Sequence, residues 1–417
     1  MLKLSIPSME NVLLLVLVAL PLWYTITAFI SWYRLRGIPG PFLASFSYVW
    51  LARIATSANQ EELYRDVNKK YGPLARVGPN ELLTDDPDVL RKTGSARGKY
   101  GKDPWYISAR FNPYQDVAAA YNGRDIASLE PCVDDQVNAM LDLIRSKYAS
   151  GPENRNRPLL ELGSVTSYLT VDVITRTLFG KEFGYLRSDS DAYGFLDQSR
   201  EYFPVLAYML DVSWLRSVVF SKVFLKLFGP KITDQSGMGK MMGVADQHMR
   251  ERFNGDSKQQ LDMIAVIYEG IRIRAPATGL YPKTVPEGGE TILGHFVPGG
   301  TAIGMNAPAF LKAPAVFGQD ANLFRPERFL EADDRTRSYM EHETEMAFGN
   351  GRYMCAGKPI AFMELNKALF ELMRHFDFQI ANPTKPWRSR SYSMYYIVVS
   401  FTSNSRAVES ISLNLKL

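Results

Sequence analysis

The chain has 417 residues, 46% hydrophobic and 22% charged, which is a globular composition with enough apolar mass for one large domain or two smaller ones. Its 48 basic and 44 acidic residues are interspersed to a net charge of +4, so no basic tract argues for nucleic acid, while a mildly basic face for an acidic protein partner stays open. Two cysteines, Cys132 and Cys355, exclude a disulfide framework and suit a reducing compartment, and Cys132 reads as a small buried hydrophobe.

The first segment differs from the rest. Asn11 to Tyr33 carries no charge, and a helix of that length crosses a hydrocarbon core of about 30 Å. Arg34 and Arg36 follow at once and place the downstream chain on the cytosolic side. A cleaved signal peptide is the rival, but the apolar stretch is long, only Lys3 precedes it as a basic residue, and no clear small-x-small cleavage site follows. Residues 1–33 are therefore expected to be an N-terminal transmembrane anchor, and residues 34–41, with Gly37, Pro39, Gly40 and Pro41, a short stiff hinge.

Residues 42–417 contain no internal repeat, low-complexity run or second linker, and read as one folded unit. Apolar residues recur at three and four in "EELYRDVNKKYG", "VDDQVNAMLDLIRSKYA", "VTSYLTVDVITRTLFG", "LDMIAVIYEGIRIR" and "KPIAFMELNKALFELMRHF", predicting helices. Strand-like pieces are fewer: "LARVGPNELLTDD", "ETILGHFVPGGTAIG" and "YYIVVSFT". The fold class is mainly α with small β-sheets, an α+β domain.

One loop carries chemistry. In "FGNGRYMCAG", Phe348 to Gly357, Gly349 and Gly351 allow positive φ and close backbone approach, Gly357 leaves room behind the sulfur, and a long helix starts just after Cys355, where the helix dipole favours an anionic sulfur. A catalytic thiolate needs a histidine base, and the four histidines stand in no recognisable nucleophile signature. Zinc needs a second cysteine or a close histidine pair, and neither is present. A lone thiolate suffices as the axial ligand of a haem iron, whose porphyrin supplies the other donors, and an inert cysteine in a glycine turn is the bland alternative.

The decapeptide resembles the haem-binding loop of the cytochromes P-450. The resemblance implies that Cys355 is the metal ligand, that Phe348 packs under the haem, and that Gly349, Gly351 and Gly357 shape the loop. The family's usual basic residue two places before the cysteine is here Tyr353, with Arg352 one step earlier as the propionate contact. "YEGIRIR" and "FRPERFL" are similar to the family's E-x-x-R and P-E-R-F elements, which implies a buried network of Glu269, Arg272 and Arg328, although an i,i+3 Glu/Arg pair alone is usually a solvated bridge. Lys283 falls where a basic residue meets a haem propionate, and Ala277, Thr278 and Gly279 would face substrate. No catalytic residue beyond the haem ligand is implied.

The resemblance further implies a haem-thiolate fold and a monooxygenase that inserts one oxygen atom of dioxygen into a small organic substrate. The nearest types are fungal microsomal enzymes of the pisatin-demethylase and benzoate-hydroxylase kind, in secondary or xenobiotic metabolism. Electrons would come from NADPH through NADPH-cytochrome P-450 reductase, drawn to a basic proximal side near Lys358 and Arg352, at the endoplasmic reticulum membrane with the catalytic domain cytosolic. The fold is expected to be incomplete. About fifty residues before Glu269 the family carries a distal helix with an A/G-G-x-D/E-T signature, but no such signature occurs here, and "EGGET", Glu287 to Thr291, lies past Glu269. A second gap is expected near "NPYQDVAAAYNGRD", where the family's Trp or His and Arg hold the propionates; Trp105 and Arg110 are five apart rather than four. A truncated, catalytically impaired relative and a peroxide-using or ligand-binding haem protein are the rivals.

Overall fold

The structure, a computed structural model, describes residues 9–109, 129–150, 158–179, 181–228, 264–380, 388–393, 395–399 and 410–415. Helices form the bulk, and short strands make two larger sheets and two hairpins. The second gap expected from the sequence, near "NPYQDVAAAYNGRD", lies outside the described residues, as do Arg110 and residues 229–263.

Helix α1 runs Met9–Arg34, followed by α2 (Val49–Thr56) and α3 (Gln60–Tyr71). Helix α3 shows why such segments fold. Gln60, Tyr64, Val67 and Asn68 make one buried stripe, Glu61 and Glu62 sit at its positive end, Lys69 and Lys70 at its negative end, and Gly72 at φ 97° stops it. The hairpin strands β1 (Leu74–Arg76) and β2 (Glu81–Thr84) come next, then α4 (Pro87–Gly94), whose cap residue Asp86 accepts the Val89 amide at 2.9 Å. Strand β3 (Gly101–Lys102) precedes α5 (Leu129–Leu143), β4 (Ala149–Ser150), β5 (Leu160–Glu161) and α6 (Leu162–Phe179). Then follow α7 (Tyr185–Ser188), α8 (Phe195–Asp211), α9 (Ser213–Val219) and α10 (Lys222–Phe228).

The second half opens with α11 (Ile264–Ile273) and continues through β6 (Lys283–Thr284), β7 (Glu290–Ile292), β8 (His295–Val297) and β9 (Ala302–Met305). Short helices α12 (Ala307–Phe310), α13 (Pro314–Phe317) and α14 (Glu327–Glu331) lead to α15 (Asp334–Glu345) and α16 (Lys358–His375). The chain ends in β10 (Phe376–Ile380), β11 (Arg388–Tyr392), β12 (Tyr395–Val399) and β13 (Ser410–Leu415). One sheet has the order β1-β2-β9-β6-β3, with β2 and β9 parallel and Glu81 opposite Ala302. A second has the order β10-β13-β4, with β5 also on β13. The main helical core joins α5, α6 and α16 through Val133, Met140, Leu169, Val173 and Leu372.

No helix among the described residues is long and apolar enough to cross a membrane. The part of α1 whose side chains are described, from Leu17 on, mixes Pro21, Trp23, Tyr24, Thr25 and Thr27 into the apolar run, and the hydroxyls of Thr25 and Thr27 bond back to Pro21 and Trp23 carbonyls at 2.7 and 3.0 Å. Within residues 34–41, Leu35 and Ile38 are buried with Leu74, Leu82 and Val285. Arg76 fastens this segment: the buried guanidinium donates to Ser31 O (3.0 Å), Trp32 O (3.3 Å), Ser45 O (2.9 Å) and Pro79 O (2.9 Å), closing the carbonyl end of α1. Burial holds that guanidinium down to about 10.

Candidate functional site

The glycine-rich loop leaves α15 through a tight turn at Met346–Phe348 and a second at Gly351–Tyr353, then enters α16. The Cys355 amide donates to the Phe348 carbonyl at 2.7 Å, so the two functional ends of the decapeptide are tied by one bond. Gly349 (φ 84°) and Gly351 (φ 56°) hold left-handed conformations, and a β-carbon on either would collide with backbone, of Tyr353 and of Gly94 respectively. Gly357 differs: its φ is −80° and a β-carbon there would meet Cys355 Sγ at an ordinary 3.8 Å. Phe348 packs at a tilt 5.5 Å from Phe362 of α16, which in turn lies 5.5 Å from Tyr268. Cys355 itself is exposed at the rim, and neither it nor buried Cys132 is in a disulfide.

Behind the loop, Glu269, Arg272 and Arg328 are all buried. Arg272 forks onto Glu269 at 2.7 and 2.8 Å, and Arg328 Nε approaches the same carboxylate at 3.1 and 3.2 Å. The Arg325 amide adds a bond at 2.7 Å, while the remaining guanidinium donors reach Leu311 O, Ala321 O, Leu323 O, Phe317 O and Asp320. Burial alone would raise the carboxyl of Glu269, but Arg272, the Arg325 amide and Arg328 outweigh it and hold it below the usual range. The spacing thus builds a buried network rather than the solvated bridge that such pairs ordinarily form.

Lys283 stands on the other side of the loop. Its ammonium donates to the hydroxyl of Tyr106 and to Tyr281 O (3.0 Å), over the Tyr106 ring at 4.6 Å and the Tyr353 ring at 5.0 Å. Burial first, then Lys102, lowers its pKa to about 7. Arg352 and Tyr353 both donate to Tyr100 O, the latter at 2.6 Å, and Arg352 lies 4.8 Å over the Tyr353 ring. Lys358 is ion-paired with Glu345 at 2.6 Å, which reduces what it adds to a basic proximal face.

The Trp105 indole, 1% exposed, donates to Asp211 at 3.2 Å and packs 4.9 Å from Tyr281. Thr278 is buried with its hydroxyl bonded to Ser393 O at 3.2 Å, and a β-carbon on Gly279 would strike Ser393, so both face the β11–β12 turn; Ala277 alone stays half-buried.

The model of the cytochrome P-450 family matches residues 256–400. Cytochrome P-450 monooxygenase aba1 of Botryotinia fuckeliana is 41% identical over 457 aligned positions, covering 87% of this chain and 90% of that protein. The abl1 monooxygenase of Leptosphaeria maculans is 35% identical, covering 94% and 86%. The chain belongs to the cytochrome P-450 family. Pisatin demethylase of Fusarium vanettenii is a more distant relative, 25% identical over 89% of this chain and 90% of its own. The haem domain of a cytochrome P-450DA mutant shares the fold with a TM-score of 0.60 at 14% identity, covering 91% of this chain and 97% of that one.

Members of this family are haem-dependent oxidoreductases, monooxygenases that act on small organic molecules with electrons from a redox partner. The residues in this P-450 fit the group. Cys355 offers one sulfur, and among the described residues no group of His, Cys, Asp and Glu forms a multi-ligand metal cluster. Phe348 supplies an apolar face beside it, and Lys283 is a cation that lacks a carboxylate partner among the described residues, as the contact of a propionate would be. Tyr106 was not singled out in the sequence. No spacing flags it, since it joins Lys283 only through the fold, 177 residues away.

Proposed function

We propose that this chain is a haem-thiolate monooxygenase in which Cys355 is the axial ligand of the iron, acting on a small organic substrate of fungal secondary or xenobiotic metabolism. The single observation that carries the proposal is the closed loop, with the Cys355 amide on the Phe348 carbonyl and two left-handed glycines that leave the sulfur at the rim. When bound, haem supplies the chemistry of oxygen insertion. The residues of the chain do the rest. Phe348 would give the ring an apolar support, Gly349 and Gly351 permit the turn, Gly357 stands beside the sulfur, and Arg352 and Lys283 would meet the propionates. Glu269, Arg272 and Arg328 hold the segment that leads to the loop. Electrons come from NADPH through NADPH-cytochrome P-450 reductase. Exposed Leu17, Leu22 and Phe29 support attachment of α1 to the endoplasmic reticulum membrane with the haem domain cytosolic.

The test is a carbon monoxide difference spectrum of the reduced, membrane-expressed protein, with Cys355→Ser beside it. A thiolate-shifted Soret band in the parent and its loss in the variant is the expected result; an unshifted band in the parent overturns the proposal.

A second reading is favoured by two observations. The alignment to aba1 spans 457 positions, more than the 417 residues of this chain, and the A/G-G-x-D/E-T signature is absent from the sequence. Both support a chain that lacks distal segments and, without their acid and alcohol, releases peroxide instead of oxygenated product or serves only to bind ligand. Measuring peroxide against NADPH consumed, with reductase present, separates the two: near-complete release as peroxide marks the impaired form.

A further inference from the structure

The segment that carries Cys355, residues 346–357, is flanked by Glu345 at the end of α15 and Lys358 at the start of α16. Those two residues are ion-paired: Lys358 Nζ meets Glu345 Oε2 at 2.6 Å, so side chains close the base of the loop. The other oxygen of the same carboxylate accepts the Tyr268 hydroxyl at 2.8 Å. Burial first, and then the bond to Glu345, push the Tyr268 phenol above its usual range, so it stays a donor. Tyr268 belongs to α11 and precedes Glu269 of the buried network, so one carboxylate ties α11, α15 and α16. Apolar rings fill the space between these ends. Phe362 lies 5.5 Å from Tyr268 and 5.5 Å from Phe348, and the Lys358 ammonium sits 5.7 Å from the centre of its ring. The main chain couples the lysine to the cysteine: the Lys358 amide donates to Cys355 O at 3.3 Å, while the Cys355 amide donates to Phe348 O at 2.7 Å. A cation offered to a docking partner must face solvent, but the Lys358 side chain is only 18% exposed and its charge is engaged by Glu345.

We propose that Glu345 is a positioning residue for the cysteine loop: by holding Lys358 and Tyr268 on its two oxygens it fixes the base from which Cys355 is presented, and it withdraws Lys358 from the cations that an acidic redox partner could engage. The proposal rests on the haem reading given above. It adds the residue that sets the seating of the sulfur, and it gives Lys358 an internal task in place of the docking role expected from the sequence. Without Glu345 the Lys358 ammonium has no counter-charge at the loop base and turns to water, and the first turn of α16 is no longer tied to α11. The backbone bonds from Lys358 to Cys355 and from Cys355 to Phe348 move with that turn, so the sulfur no longer keeps one position.

The experiment uses the full-length, membrane-expressed protein and reads two quantities. One is the share of haem-bound protein that gives the thiolate-shifted band in the reduced carbon monoxide spectrum; the other is the concentration of NADPH-cytochrome P-450 reductase at half-maximal NADPH oxidation. Glu345→Gln and Lys358→Met should each raise the unshifted share about fivefold, the range of one partly buried charge pair. The double variant should match the single ones, because the pair is lost only once, and Lys358→Arg should restore the ratio of the parent. Lys358→Met should leave the half-saturating reductase concentration within about twofold of that of the parent, since its charge was not offered to the partner. An unchanged share of the shifted band in either single variant overturns the proposal, even where haem content and the unfolding midpoint fall, because those two report only a loosened fold. Defects that multiply in the double variant show two separate roles and overturn it as well. So does a several-fold rise in the reductase requirement of Lys358→Met with an unchanged spectrum, which makes Lys358 a docking cation; in all three cases the haem reading stands. A parent without a thiolate-shifted band sinks the haem reading, and the positioning role with it.

Discussion

The Glu269 network and Lys283 flank the same loop and handle buried charge in opposite ways. Around Glu269 every charge has a counter-charge and a hydrogen bond, and the carboxyl is pushed below its usual range. Around Lys283 the hydrogen-bond partners among the described residues are neutral, and its pKa is pushed down to about 7 from 10.5. Burying an ion costs several kcal/mol unless it is paired. A compensated cluster is therefore a lock, complete without a ligand, whereas an uncompensated cation marks where a ligand completes the structure.

Mutations sharpen this contrast. The largest effect is expected from Arg272→Ala, which removes the bidentate partner of buried Glu269, leaves only Arg328 and the Arg325 amide against its charge, and should cost about 3–5 kcal/mol of stability together with most of the haem content. Denaturant unfolding and the ratio of haem to protein check both, and unchanged haem content would break the reading of the network as a lock. Lys283→Met should act in the reverse direction and stabilise the apoprotein. The sign follows from linkage: the folded pKa of Lys283 lies below the unfolded value, so its penalty is fully present below about 7 and disappears as pH rises toward 10.5. The apoprotein variant should thus melt above the parent at pH 6, with the two curves converging by pH 10.

A smaller effect tests a third arrangement, a carboxylate among neutral donors. Asp211 accepts from Gln60 (3.0 Å), Trp105 (3.2 Å) and Tyr64 (3.4 Å), and burial raises its carboxyl from 3.8 to about 6 in spite of them. The folded state then holds the proton more tightly, so this group lowers stability as pH rises from about 4 to about 6 and adds no slope above. Asp211→Asn should remove that slope in a pH series of thermal unfolding; a variant parallel to the parent across the window would show that Asp211 is solvated in practice.

Much of the fold was legible because its signals are local. The stripes at three and four produced α3, α5, α6, α11 and α16, and "ETILGHFVPGGTAIG" produced β7, β8 and β9, with Leu293 and Gly294 at positive φ in the connecting turn. The terminal strand β13 was not legible: its partners β10, β4 and β5 lie far away in the chain, and strand pairing at that separation leaves little mark on periodicity. The expectation that α1 crosses a membrane rests on an absence of charge, which is a weaker property than apolarity, since Thr, Tyr, Trp and Pro carry no charge, and no helix among the described residues is long and apolar enough to cross a membrane.

By itself the sequence determined the turn chemistry around Cys355, since Gly349 and Gly351 are needed wherever φ is positive, and it set Glu269 and Arg272 three apart on one helix face, a spacing that guarantees their meeting. Only the tertiary structure decided what surrounds those charges. That Arg328 completes the cluster, that Thr278 turns to Ser393, that Trp105 serves Asp211 and that Lys283 meets Tyr106 and Tyr353 all depend on elements that meet across the fold. Burial converts a local pair into a lock or lowers the pKa of a lysine, and burial belongs to the packed molecule rather than to any segment of it.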